Sequence, residues 1–387
     1  MKLCISPQPQ PFTLDHEAFE RLRGRAKRVA SFYHNCLRVF ESCLKGELPP
    51  IVASMLFSGH PEWMGENFHR YVGPLALKVP DSFRTDESVD GKVLEIQAPG
   101  SIWGEYLLLQ DYYQPSGANS DEVVSRYCRD LRRALNGELP RLLYLSDGAS
   151  AQAGVRYFIS RIRRFEVVVY GWDPDVSVGN VNYIRGHSFA SLVSENLFNA
   201  RLKDALMGRM MRYDLPVNAI FDSKVLLPLP FWRFTREFFS NEDREMLAFS
   251  SFLEPGGAQL PDGSLEPLET FMSRKPRERR FYLKYAGGDL SRNWGSRAVF
   301  RLRTGGVKWR QKLASGWTES ATGAGAWILQ EEGETKDPAF NQAINVKLSS
   351  LCAFGHFFGG IAMARDHPHV HGGQTTQMSI IEEGRDQ

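Results

Sequence analysis

The sequence predicts an α/β chain with α+β character on either side of its middle, and three observations carry that prediction. Between residues 140 and 220, strand-like apolar runs alternate with runs of helical period, the order that builds a mostly parallel sheet. Residues 78–97 hold two apolar stretches around a polar loop that contains Asp90-Gly91, a hairpin signal. The stretch SLCAFGHFFGGIAMARDHPHVHGGQTTQMSII reads as paired strands with a His-rich loop.

Taken in order, residues 15–45 have helical periodicity with basic residues between apolar ones, and Gly46 closes the run. Residues 102–137 return to helical period, and ELPRLLYLSD opens the alternating unit. Within it RLLYLS is a strand, AQAGVRYFISRIRR a helix, FEVVVYG a strand and VNYIRG a further strand. NAIFDSKVLLPLPFWRFTREFF is expected to form a loop running into a helix that carries Lys224. Residues 254–280 read as a Pro/Gly-rich, then basic, connector. FYLKYAGGDLSRNWGSRAVFRL is a strand, a glycine-bearing loop and a second strand; GAWILQEEGE is a buried strand that turns acidic at its end. No internal repeat is visible.

Bulk properties narrow the function. A chain of 387 residues suggests two or three domains or one large composite one. The 47 basic and 45 acidic residues nearly cancel, which argues against a broad surface for nucleic acid or membranes. Cys4, Cys36, Cys43, Cys128 and Cys352 are scattered, without CxxC spacing, and suit free thiols in a reducing cytoplasm. The start MKLCISPQPQPFTLD has no continuous apolar core, so no signal peptide is expected. No run approaches the ~20 apolar residues of a membrane span.

The chemistry concentrates in a few short pieces. In LEIQAPG, Glu95 and Gln97 project from one face of a strand. Burying a carboxylate there calls for a metal ion or an arginine, and Arg84 and Asp86 lie just upstream. In YLKYAGGD, Lys284 ends an apolar strand, and Gly287 and Gly288 let backbone N–H groups approach an anion. A hairpin with a glycine-rich tip fits those residues equally well. WILQEE brings Gln330, Glu331 and Glu332 to a strand end, where backbone groups suit adenine and a carboxylate suits ribose; an ordinary polar strand mouth reads the same. Arg365 in GGIAMARD ends a small-residue strand, as a phosphate brace or a structural ion pair. His367, His369 and His371 alternate as metal ligands on a strand would, yet Pro368 and the glycine pair favour a solvated or substrate-facing loop. Ser146, Asp147, Gly148 and His187 make no hydrolase triad.

Together these pieces resemble the ATP-grasp superfamily in a circularly permuted order, similar to glutathionylspermidine synthase-like proteins. The pattern Arg84-x-Asp86, a turn, then Glu95-Ile96-Gln97 followed by proline lies upstream of the lysine and hinge strands. The resemblance implies a division into 1–139, with the metal-binding hairpin, 140–220, a Rossmann-like unit, and 221–387, with the lid, hinge strand and C-terminal arginine strand. Two α+β lobes would clasp ATP. It implies Mg²⁺ on Asp86, Glu95 and Gln97, the last standing where the family has asparagine. Lys224 and Lys284 would be the nucleotide-binding lysines, with Gly287 and Gly288 in the phosphate loop and Gln330, Glu331 and Glu332 in the hinge. Arg84 and Arg365 would be the catalytic arginines. The implied activity is an ADP-forming carboxylate–amine ligase working through an acyl phosphate, on an amino acid, a peptide or a natural-product acid. A nucleotide- or partner-binding descendant without ligation, or a small-molecule phosphotransferase, are the alternatives.

Overall fold

The computed structural model describes residues 6–60, 65–99, 102–114, 116–145, 153–170, 181–186, 204, 212–214, 217–293, 298–304, 306–336, 344–367, 370 and 376–384. Cys4, Ser146, Asp147, Gly148, His187, His369 and His371 lie outside them. In chain order the strands begin with β1 (Ser6–Pro7), β2 (Phe12–Leu14), β3 (Ser82–Glu87), β4 (Val93–Gln97), β5 (Arg141–Leu145) and β6 (Val168–Tyr170). They continue with β7 (Tyr183–Gly186), β8 (Arg212–Asp214), β9 (Ser250–Glu254), β10 (Gly257–Gln259), β11 (Leu265–Glu266) and β12 (Phe281–Tyr285). The last are β13 (Val299–Arg301), β14 (Trp327–Glu331), β15 (Asn345–Ala353), β16 (His356–Arg365) and β17 (Gln377–Glu383).

These strands form three sheets, and the fold is mixed α/β. The first runs β1-β17-β16-β15-β3-β4, with β2 also on β17. The β3–β4 hairpin from the first third of the chain therefore pairs with β15 from its end, Asp86 opposite Ser349. The second sheet, β11-β10-β9-β14-β12-β13, is antiparallel throughout. The third, β6-β5-β7-β8, is wholly parallel, as the alternation between 140 and 220 predicts.

Strand alternation gives the first sheet two chemically different faces. One carries Phe83, Thr85 and Glu87 toward the helix His16–Leu44. That helix starts where the Asp15 side chain accepts from the Ala18 N–H at 2.7 Å. It buries Leu22, Ala26, Val29, Phe32, Tyr33 and Cys36, the i, i+3, i+4 stripe of its sequence. Arg25 and Glu87, each 1 % exposed, form an ion pair at 2.9 Å between helix and sheet. On the opposite face, Leu351, Ile361, Met363, Met378 and Ile380 pack with Trp103, Tyr106 and Phe158 from the helices Trp103–Tyr113 and Ala153–Ile162. Beyond that apolar patch the same face becomes charged, with Arg84, Asp86, Glu95 and Lys347.

Several expected elements differ. The helical run 102–137 is two helices, Trp103–Tyr113 and Ala118–Ala134, parted at Gly117, whose φ of 70° no helix interior accommodates. Lys224 is not carried by an α-helix: it opens the 3₁₀ turn Lys224–Leu226, capped by the Ser223 side chain. Pro228 and Pro230 prevent a longer helix there. Residues 254–280 are no plain connector. They hold β10, β11 and the helix Leu268–Ser273, which buries Leu268 and Phe271. The last strand pairing begins earlier than expected, at Asn345. Cys36, Cys43, Cys128 and Cys352 are free and buried, and no described helix is long and apolar enough to cross a membrane.

Candidate functional site

The hairpin register sets the first half of the site. Arg84 lies opposite Gln97, and Asp86 opposite Glu95, so all four side chains share one face. Asp86 is 2 % exposed. Its Oδ1 accepts from Ser349 Oγ at 2.7 Å and lies 2.9 Å from Arg84 Nε. Its Oδ2 accepts from Arg84 Nη2 at 3.0 Å and from Lys347 Nζ at 2.6 Å. Burial alone would raise the Asp86 carboxyl, but Arg84 and Lys347, with the Lys347 and Ser349 hydrogen bonds, hold it far below the usual range.

The second sheet supplies the other half. Lys284 and Gln330 project from one face of β12 and β14. Lys284 Nζ donates to Gln330 Oε1 at 2.5 Å, and Gln330 Nε2 donates to Ser250 Oγ at 3.1 Å, so the lysine head is fixed by a relay across three strands. A single parallel bridge, Val93 to Leu247, brings the β4 edge against the chain entering β9. Lys224 reaches across to Glu95, with Nζ 3.1 Å from Oε1. Gln97 Nε2 donates to the same oxygen at 3.3 Å.

The charges of both sheets act on one another. Burial raises the Glu95 carboxyl and Asp86 adds to that; Lys224, Lys284 and Lys347 overcome both and bring it to about 2. Burial lowers the Lys284 ammonium, Glu95 opposes, and Lys224 and Lys347 add to the fall, leaving it at about 8. Four cationic side chains thus surround two carboxylates at a largely buried site.

The remaining predicted residues are placed as follows. Gly287 and Gly288 are buried against residues 58–60. A Cβ on Gly288 would come within 2.1 Å of His60 Nδ1, and one on Gly287 within 2.5 Å of Tyr285 Oη. The Gly288 N–H donates to Ser58 O at 3.1 Å. Glu331 is exposed at the end of β14. Glu332 is paired through both oxygens with Arg301, at 2.7 and 2.8 Å. Arg365 closes β16 opposite Asn345, on the Asp86 face of the sheet. His367 is exposed.

Three contributors escape a linear reading. Lys347 and Ser349 sit in INVKLSSL, where alternation marks a strand and nothing marks its partner some 260 residues away. His60 touches Gly288 with both ring nitrogens lacking a hydrogen bond, and burial lowers its pKa to about 4.

The donor chemistry fits a hard divalent cation. Asp86 and Glu95 oppose each other, with the Gln97 amide and the Ser349 hydroxyl beside them. No described group of three or more His, Cys, Asp and Glu gathers as a metal site. Two carboxylates suit Mg²⁺ when phosphates and water complete its shell. Comparison with known protein families and with curated proteins finds no match for this chain.

Proposed function

We propose that this chain is an ATP-dependent carboxylate–amine ligase of the permuted ATP-grasp type, forming ADP and an acyl phosphate on the way to an amide. One observation carries the reading: among the described residues, Arg84, Lys224, Lys284 and Lys347 gather around Asp86 and Glu95, largely out of water, and the one further carboxylate whose field meets them, Glu105 beside Arg84, leaves the cations in excess. Unbalanced positive charge in such a place is costly until a polyanion enters. A triphosphate supplies that charge. The permuted order of Arg84-x-Asp86, Glu95-x-Gln97, Lys224, Lys284 and Arg365 supports the ligase over other users of ATP.

In this reading Glu95, with Asp86 opposite it, would hold Mg²⁺, which would supply positive charge to neutralise the phosphate oxygens. Lys284 and Lys224 bind the phosphates, and the Gln330 hydrogen bond keeps Lys284 aimed. Arg84, fixed against Asp86, faces the charge that develops during phosphoryl transfer. The substrate carboxylate attacks the γ-phosphorus and ADP leaves. An amine then attacks the acyl carbon, inorganic phosphate leaves, and the amine proton passes to solvent. Arg365 braces the acyl oxygen. Exclusion of water by the Gly287–Gly288 loop protects the acyl phosphate. The acid and amine are an amino acid, a peptide or a natural-product acid, and the setting is cytoplasmic.

A second reading, a nucleotide- or partner-binding protein without ligation, is favoured by two commitments: the Gly288 N–H is already used by Ser58, and the Glu332 carboxylate by Arg301. Calorimetry with ATP and Mg²⁺, followed by assays of ADP and phosphate release against acids and amines, separates the two. Amine-dependent release of both products supports the ligase. Binding with no release across the panel supports the second reading, ADP without phosphate a phosphotransferase, and absence of ATP binding removes the ligase, the phosphotransferase and the nucleotide-binding form of the second reading.

A further inference from the structure

A carboxylate offers about four lone-pair positions for hydrogen bonds or metal coordination. At Asp86 three donors already hydrogen-bond, Ser349 Oγ at Oδ1 and Arg84 Nη2 and Lys347 Nζ at Oδ2, and Arg84 Nε lies 2.9 Å from Oδ1 as an ion contact. A divalent ion reaches Oδ2 of Asp86 only by displacing one of its two donors. Glu95 is different. It accepts from Lys224 at 3.1 Å and Gln97 at 3.3 Å, longer contacts that a small dication outcompetes.

Arg84 alone suffices to neutralise Asp86, so the second cation is more than an ion pair requires. Lys347 lies on β15 two residues from Ser349, and both project on the Asp86 face. Its field also reaches Glu95 and Lys284, so the ammonium belongs to the same charged cluster. Two-metal phosphoryl-transfer sites place their ions about 3.5–4 Å apart to neutralise the oxygens on either side of the reacting phosphorus. An ammonium fixed at Oδ2 of Asp86 fills one of those two positions from the protein itself. Gln97 agrees with this arrangement, because its NH₂ donates to Glu95 at the point where a second ion would need an acceptor.

We infer that Lys347 supplies the second cation of this site, so that the loaded protein carries one divalent ion, on Glu95, rather than two. The inference rests on the nucleotide-binding reading above. The test counts Mn²⁺ bound to the full chain by electron paramagnetic resonance, in the presence of the non-hydrolysable β,γ-imido analogue of ATP. One Mn²⁺ per chain is expected for the wild type and for Lys347→Arg, and two for Lys347→Met, where Asp86 Oδ2 is released. Two ions in the wild type overturn the inference while leaving nucleotide binding intact. So does a folded Lys347→Met variant that still binds one. The wild-type count decides alone if that variant does not fold. Absence of any nucleotide-dependent Mn²⁺ is a third, distinguishable result, and it removes the nucleotide reading together with the inference.

Discussion

Lys284 is where burial and charge compete most openly. Its ammonium is fixed on Gln330 and pulled down to about 8 by burial, with Glu95 opposing and Lys224 and Lys347 reinforcing. Just above neutral pH the ligand-free protein therefore begins to lose this charge, and a polyanion must restore it with a proton from solvent. The affinity for ATP with Mg²⁺ is expected to be level below pH 7.5 and to weaken above pH 8, by up to about tenfold per pH unit. Lys284→Arg removes the dependence, since guanidinium stays charged. Calorimetry between pH 7 and 9.5 measures it, and equal slopes for the two proteins would exclude Lys284 as the titrating group. Glu95 has the opposite part. Glu95→Gln takes away a negative charge beside three lysines, so ATP without Mg²⁺ binds more tightly. The gain on adding Mg²⁺ shrinks by about ten- to a hundredfold, the equivalent of ~1.5–3 kcal/mol for a contact to a charged group. An unchanged Mg²⁺ effect would remove Glu95 from the metal's shell.

Among the elements, the loop after β12 and the helix behind β3 make distinct demands. Gly287 and Gly288 are glycine because residues 58–60 press against them, with His60 2.1 Å from where a Cβ on Gly288 would lie. Gly288→Ala is expected to destabilise the fold by about 1–3 kcal/mol through overpacking. In a His60→Ala background the same change should cost well under 1 kcal/mol, and a denaturant-based double-mutant cycle reads the coupling. Strict additivity would mean that His60 is not the obstacle. The Arg25–Glu87 pair ties the N-terminal helix to the reverse face of the Asp86 strand. Arg25→Met leaves the buried carboxylate without its guanidinium and should cost about 3–5 kcal/mol, with much of it regained in the Arg25→Met/Glu87→Gln double variant. Here the limits of a linear reading become physical. Asp86 and Glu95 were legible because a two-residue period and a short turn join them locally. Lys347 was not, because its place beside Asp86 depends on register between strands from opposite parts of the chain. Lys224 was visible as a residue but not in its 3₁₀ turn, since side-chain periodicity does not distinguish a capped single turn from the start of a helix.

For the molecule as a whole, the parallel unit and the hairpins were legible from periodicity, whereas the meeting of the first and second sheets, on which the site depends, is a tertiary event. That assembly also gives the protein a predictable response to acid. His69 is 1 % exposed, packed against Phe40 at 5.0 Å and Phe57 at 5.3 Å between ring centroids. Burial, then His60, lowers its pKa to about 3, and burial lowers His60 to about 4. Both are neutral when folded and ordinary histidines when unfolded, so between pH 6.5 and about 4 the unfolded chain binds more protons. Their contribution to stability is complete above pH 6.5 and falls as the pH drops toward the folded values. Glu95 adds a contribution that is complete above about pH 4.5 and is lost as the pH falls toward 2. Glu87 and Asp214, whose carboxyls burial raises, act in the opposite direction. The net slope is therefore a mixture, but a comparison isolates one group. His69→Phe keeps an aromatic ring between Phe40 and Phe57 while removing one titration, and all other groups cancel between the two proteins. The wild type should lose stability more steeply than the variant by about 1.4 kcal/mol per pH unit between pH 6 and 4.5, one proton's worth. Above pH 7 the two curves should run parallel. Denaturant unfolding at a series of pH values measures the difference. Parallel curves throughout would mean that His69 is not held neutral by the fold, whereas a steeper fall of the wild type at low pH would tie the acid lability to the ring buried beneath the first helix.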